Sequence, residues 1–280
     1  MIPQTFEYTV PASLAEALRL VGDGAKPLSG GMSLVPMMKL RLAAPEHLVD
    51  LARLQELNYI REQAGAIHIG ATTTHHTVES SAVLRAKCPL LAETASCIGD
   101  VQVRNLGTIG GSVAHADPSA DYPAALQALE AKIVLRGAAS ERTVSADEFF
   151  VDTFTTALEP GEIVTEVIVP IEAASTGTSY QKLLQPASGF AIVGIAARIQ
   201  KSGGKITLAR IGVTGLSNRA YRASATEAAL VGGSDVAAAA ALVAQGVDAN
   251  SDLYASAEFR AHLATVYAAR AMDAAIRRTS

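Results

Sequence analysis

The chain has 280 residues, 49% of them hydrophobic, enough to bury a sizeable core in one large domain or in two to three smaller units. Its 23 basic and 27 acidic residues leave a net charge of −4, without the basic footprint of a nucleic-acid binder, and the absence of tryptophan weakens any base-stacking role. No apolar run reaches membrane-spanning length, and the start MIPQTFEYTV lacks the charged and apolar regions of a signal peptide, so a cytoplasmic protein with no membrane span is expected.

In chain order, SLAEALRLVG (13–22) predicts a short amphipathic helix with Ser13 as its N-cap. The stretch SLVPMMKLRLA follows the glycine pair of SGGMS (29–33) and is apolar on most faces, which predicts a buried helix whose N-terminus faces something. HLVDL (47–51) and AIHIGATTT read as strands. His75 and His76 point in different directions, and THH reads as a turn or helix start capped by Thr74 rather than a metal site. CPLLAETASCIG and DYPAALQALEA predict helices, and KIVLRG and EIVTEVIVP strands. Cys88 and Cys97 form no CxxC pair and cannot hold an iron–sulfur cluster or structural zinc unaided, so they read as small buried thiols.

IEAASTGTS (171–179) reads as a linker, dividing the chain into units 1–56, 57–172 and 173–280. Beyond it, AIVGIAARIQ and KITLARIGVTGL, joined by KSGG, predict an antiparallel hairpin. ATEAALVG, DVAAAAALVAQGV and a final stretch from about 256 to 278 predict helices, with Leu and Val recurring at helical spacing among the alanines. This last part reads as a scaffold or subunit-contact region.

Two motifs carry chemistry. SGGMS and GTIGGS (107–112) each combine a glycine pair with hydroxyl residues, Ser29 and Ser33 in the first, Thr108 and Ser112 in the second. Glycine lets a polyphosphate approach the backbone, and two such loops, each leading into a segment with outward-pointing amides, would make an anion cradle. Neither is a Walker A loop, and no GxGxxG follows a strand. In HADPSADYPA, Asp117 or Asp121 suits the hydroxyls of a ribose or ribityl chain, while Asp121 also fits as the N-cap of the next helix. A metal held by His115, Asp117 and Asp121 is the less favoured reading, and no metal is expected.

The segments PLSGGMSLVPMMKLRLAAPEHLVDL, IGATTTHHTVESS and NLGTIGGSVAHADPSADYPAALQALEA resemble the FAD-binding medium subunit of molybdenum hydroxylases. That family includes aerobic carbon monoxide dehydrogenase and the flavin domain of xanthine dehydrogenase. The resemblance covers essentially the whole chain and rests on the two glycine motifs, the Lys39 and Arg41 neighbourhood and the DPxxD loop. It implies an α+β fold: two α/β FAD-binding subdomains like those of vanillyl-alcohol oxidase, then a C-terminal domain of antiparallel strands and helices. It also implies a split cradle for the FAD pyrophosphate, with Ser29, Gly30, Gly31, Met32 and Ser33 on one side and Thr108, Gly110 and Gly111 on the other. Asp121 matches a polar contact to the cofactor, Lys182 a lysine near the flavin, and Ile163 or Val164 an apolar contact. Phe190 falls where some relatives place a tyrosine near the isoalloxazine, and Met32 where many place a histidine.

The same resemblance implies an electron-transfer subunit of a heterotrimer. Its partners would be a large subunit with a molybdopterin-type molybdenum cofactor and a small subunit with two 2Fe–2S clusters, assembled as a dimer of heterotrimers. Electrons would leave to a quinone, oxygen, NAD or another acceptor, and no side-chain acid or base is demanded of this chain. A self-sufficient FAD-dependent oxidoreductase and a non-redox nucleotide-binding scaffold module are the alternatives.

Overall fold

The buried apolar residues sort into three separate cores in the computed structural model, which describes residues 2–279. In the first unit, β1 (Glu7–Thr9), α1 (Leu14–Gly22), β2 (Lys26–Leu28), α2 (Leu34–Lys39) and β3 (His47–Asp50) build a parallel sheet of order β1-β3-β2. Leu14, Ala17, Leu18 and Val21 recur at helical spacing on α1 and pack with Val49, Leu51 and Leu54. Ser13 caps this helix by accepting the Glu16 amide hydrogen.

The helix expected to be buried is not. In α2 only Met38 is buried, and Leu40 and Leu42 just beyond it are exposed. Leu34, Val35 and Met37 are only half-buried, because a helix of six residues offers too little length to turn all its apolar side chains inward.

The second unit is a five-stranded antiparallel sheet of order β4-β5-β10-β6-β7. Its elements are β4 (Ile60–Gln63), β5 (Ala66–Gly70), α3 (His75–Ser80), α4 (Ala82–Lys87), α5 (Pro89–Ser96), α6 (Val101–Leu106), α7 (Ile109–His115), α8 (Asp121–Ala128), β6 (Lys132–Arg136), β7 (Glu141–Ser145), α9 (Ala146–Phe149), β8 (Phe150–Asp152), β9 (Thr155–Thr156) and β10 (Ile163–Pro170). The helices are short because caps come quickly: Thr74, Ser81, Asp100 and Thr108 each accept the amide three residues on, starting α3, α4, α6 and α7. GTIGGS is therefore not a tight turn but the entry to α7. Strand β10 ties two cores together, with Ile163 packing in the first unit's cluster and Val164 in the second's.

The third unit is an antiparallel sheet of order β11-β12-β13-β14, from β11 (Thr176–Leu184), β12 (Ala191–Ser202), β13 (Lys205–Thr214) and β14 (Tyr221–Arg222), with α10 (Ser224–Val231), α11 (Val236–Ala240) and α12 (Ala257–Arg277). Gly203 and Gly204, at φ +57° and +78°, turn the β12–β13 hairpin, the backbone a two-residue loop of this twist requires. On α12, Leu263, Ala264, Ala268, Ala271, Met272 and Ala275 form the apolar stripe over the sheet.

Two expectations need correcting here. The second half of the expected linker is strand β11, because Gly177 is not a flexible joint: a Cβ there would overlap the Ala275 carbonyl of α12. The Ala-rich stretch at 235–247 is helical only over Val236–Ala240 and then breaks into turns. Gly212 on β13 similarly leaves room for the Ala124 carbonyl of α8, so the second and third units press backbone to backbone.

Candidate functional site

The two glycine motifs meet. Ser29 Oγ lies 3.0 Å from Thr108 Oγ1, and a Cβ at Gly30 would overlap the Leu106 carbonyl oxygen and come within 2.7 Å of Gly107 Cα. Gly31 follows at φ +71°, a backbone setting that favours glycine. Part of the reason for bare backbone here is thus each loop's approach to the other. Gly110 is bare for a third reason: it is buried, and a Cβ would sit 2.5 Å from the Ala71 Cβ. Gly111 is exposed, and its Cβ would meet only Thr108 Oγ1, at 2.9 Å.

The amides of the two loops differ. Among the described residues no hydrogen-bond acceptor takes the backbone N–H groups of residues 30–34, leaving a run of free donors beside Met32 and Ser33. The second loop does not present outward amides as expected. Ile109 donates to the Thr73 carbonyl and Gly110 to the Ala71 carbonyl, while the Gly111 amide donates to Thr108 Oγ1. Docking of the 71–75 segment against α7 consumes the first two donors, and the helix cap consumes the third. A diphosphate fits this site through the free amides of the first loop.

Farther along, the expected polar contacts separate. Asp121 is not the cap of α8, a position held by Ala120; its carboxylate is buried and accepts hydrogen bonds from Tyr180 Oη at 2.5 Å and from Lys182 Nζ at 3.0 Å. Burial pushes the Asp121 carboxyl up to about 6 against the pull of the Lys182 charge. The Lys182 side chain is 5% exposed, and its ammonium also donates to the Cys97 carbonyl at 2.7 Å and the Gly189 carbonyl at 2.6 Å. These three acceptors account for its three N–H groups. Asp117, by contrast, lines an open pocket of about 200 Å³ with Phe190, Ser119, Tyr254 and Arg260. Phe190 sits 41% exposed at the end of a turn closed by the Gln185 amide donating to the Phe190 carbonyl. Ile163 and Val164 are both buried in cores, so neither offers an exposed side chain to a ligand.

Residues that pattern reading missed stand behind the loops. His75 is 4% exposed, and its Nδ1 lies 3.2 Å from the hydroxyl of buried Tyr122. Desolvation, with the Arg104 charge adding to it, lowers the His75 imidazole to about 4. The pair His75–Tyr122 and the partner Tyr180 of Asp121 span 47 and 59 residues of sequence, and no local spacing signals them.

Two glycine loops joined at Ser29 and Thr108, with free amides on the first, suit the diphosphate of a dinucleotide cofactor. Residues 4–172 match the FAD binding domain in molybdopterin dehydrogenase, and residues 178–275 match the CO dehydrogenase flavoprotein C-terminal domain. The chain belongs to the FAD-binding flavoprotein subunits of the molybdopterin dehydrogenases. It is 42% identical to the carbon monoxide dehydrogenase medium chain of Hydrogenophaga pseudoflava, over 98% of both chains. The solved structure of carbon monoxide dehydrogenase from that organism, lacking the Mo-pyranopterin moiety, superposes with a TM-score of 0.97 at 44% identity over the whole of both chains. Quinoline 2-oxidoreductase from Pseudomonas putida 86 matches with a TM-score of 0.94 at 32% identity, over 100% of this chain and 99% of that one. Among the described residues no helix is long and apolar enough to cross a membrane.

Proposed function

We propose that this chain carries FAD with its pyrophosphate over the first loop, residues 29–33, and passes electrons between partner subunits and an external acceptor. The observation that carries this placement is the run of free amides at residues 30–34, on a loop joined to the second glycine motif through Ser29 and Thr108. When bound, FAD supplies the electron-transfer chemistry, and the protein supplies position and electrostatics. Ser29 and Thr108 join the two sides of the cradle, and Asp117 is placed to accept hydrogen bonds from the cofactor's polyol. Lys182 pins the turn that carries Phe190, so that this ring stands at the edge of the flavin. Val164, Asp121 and Gly110 support the site from within the fold.

The partners in this reading are a large subunit with a molybdenum cofactor and a small subunit with 2Fe–2S clusters, in a dimer of heterotrimers located in the cytoplasm. The likeness to carbon monoxide dehydrogenase and quinoline oxidoreductase over the full chain supports the subunit arrangement. The same likeness across two such different substrates supports placing substrate choice on another polypeptide. Two free thiols, Cys88 and Cys97, accord with a reducing compartment. Exposed Leu106 adjoins Gly30, and exposed Leu40 and Leu42 follow α2, where cofactor or partner would cover them. The test is FAD content: Gly111→Val, which sets a branched side chain at this exposed position, is expected to yield protein without flavin, and stoichiometric FAD in that variant would overturn the placement.

A further inference from the structure

The stack behind the glycine loops has a definite order. A Cβ on Gly30 would run into Gly107, and a Cβ on Gly107 would lie 2.6 Å from His75 Nε2 and 2.8 Å from Cδ2. Gly30, Gly107 and the His75 ring therefore lie one upon another at the closest spacing backbone and ring allow. The His75 amide donates to the Gly107 carbonyl at 2.9 Å, and Thr74 and Thr108 form an isolated antiparallel bridge beside it. The ring itself is fixed from its far side. Tyr122 is fully buried and its hydroxyl has no other partner among the described residues, so its one hydrogen bond fixes Nδ1 and turns the Nε2 edge of the ring toward Gly107. The rings of His75 and Tyr122 also pack at 5.3 Å between centroids.

We propose that His75 is a positioning residue for the cofactor cradle: its ring, oriented by Tyr122, sets the height of Gly107 and through it the gap between the two glycine loops. The proposal rests on the placement of FAD at these loops. It requires a ring atom at the Nε2 position, where it bears on Gly107, rather than merely a filled core. The asparagine and glutamine variants separate the two requirements, since an asparagine amide reaches about as far as Nδ1 and a glutamine amide about as far as Nε2.

The experiment titrates the full chain, stripped of cofactor, with FAD, reading the dissociation constant from flavin fluorescence and the melting temperature of the apo form in parallel. His75→Ala and His75→Asn are expected to weaken FAD binding by at least about tenfold, about 1.4 kcal/mol, while His75→Gln recovers most of it. Tyr122→Phe weakens binding less, and adding it to His75→Ala brings little further loss, because both act through one ring. Equal affinity in the asparagine and glutamine variants, or parental affinity in His75→Ala despite a lowered melting temperature, overturns the positioning role. Should His75→Ala fail to fold, the Asn, Gln and Tyr122→Phe comparison decides. Gly30→Ala serves as the reference: if it loses FAD and the His75 variants do not, only the role of His75 falls, whereas unchanged FAD binding in Gly30→Ala and Gly111→Val removes the cradle itself.

Discussion

Ser29 and Thr108, 79 residues apart in sequence, share a hydrogen bond of 3.0 Å between their hydroxyls, and Thr108 is also the N-cap of the helix that carries the second glycine pair. One hydroxyl thus serves both the local start of α7 and the closure of two distant loops. Replacing Thr108 with Val keeps the shape and removes both bonds. Loss of a cap costs about 1 kcal/mol, so thermal melting of the apo chain should fall by that order, and FAD should dissociate faster because Ser29 loses its partner. Unchanged flavin retention in Thr108→Val would show that the hydroxyl pair plays no part in holding the loops together.

Gly30 admits no side chain at all. A methyl group there meets the Leu106 carbonyl oxygen, a backbone atom that cannot rotate away. Gly30→Ala is expected to cost about 2–3 kcal/mol, the usual scale of overpacking, and to open the seam between the first and second units. Denaturant unfolding with FAD content measured on the same sample checks this. A variant as stable as the parent would mean the seam closes less tightly than the structure has it.

The Asp121 carboxyl and the His75 imidazole pull stability in opposite directions over nearly the same pH range. Asp121 is raised from 3.8 to about 6 by burial, so the native state favours its protonated form, and its contribution falls as pH rises from about 4 to about 6. His75 is lowered from 6.5 to about 4, so protonation favours the unfolded chain, and its contribution is lost as pH falls from about 6.5 to about 4. In Asp121→Asn the first slope disappears. The melting temperature of the parent relative to Asp121→Asn should therefore fall between pH 4 and pH 6, and a constant difference would rule out titration of Asp121 in that window.

Arg260 is buried on α12 and donates to the carbonyls of Ile192 and Gly215 and to the Asp252 carboxylate. Arg260→Met strips the donor from two main-chain carbonyls and leaves Asp252 without its cation. A loss of about 3 kcal/mol is expected, read by denaturant melting, and because Arg260 lines the same pocket as Asp117 and Phe190, FAD affinity of the folded fraction is expected to fall with it. Full FAD affinity in that folded fraction would show that this pocket takes no part in holding the cofactor.

Pattern and spacing made much of the scaffold legible: the α1 stripe, the caps at Ser13 and Thr74 and the β12–β13 hairpin all follow from residues within a few positions of one another. The two glycine pairs were visible for the same reason. Their relation was only half visible, because Gly30 is bare for Leu106 and Gly107, and Gly110 for Ala71, contacts set by tertiary docking. Asp121 shows the limit most clearly: its local sequence reads as a helix cap, and only Tyr180 and Lys182, far along the chain on β11, explain why its carboxylate turns inward. The α2 stretch misled in the other direction, since uniform apolarity signals burial without saying whether this chain or another molecule provides the cover.

The unequal amides of the two loops make the site lopsided. The second loop has already spent its donors on residues 71–73 and on its own cap, while the first keeps its own in reserve. In the proposed placement, the free amides of residues 30–34 hold the charged part of the cofactor, and bare, exposed Gly111 sets how much bulk the second loop admits. Engineering that aims to exchange FAD for a cofactor of different charge should work on the first loop, and engineering that aims at a bulkier one should work on the second.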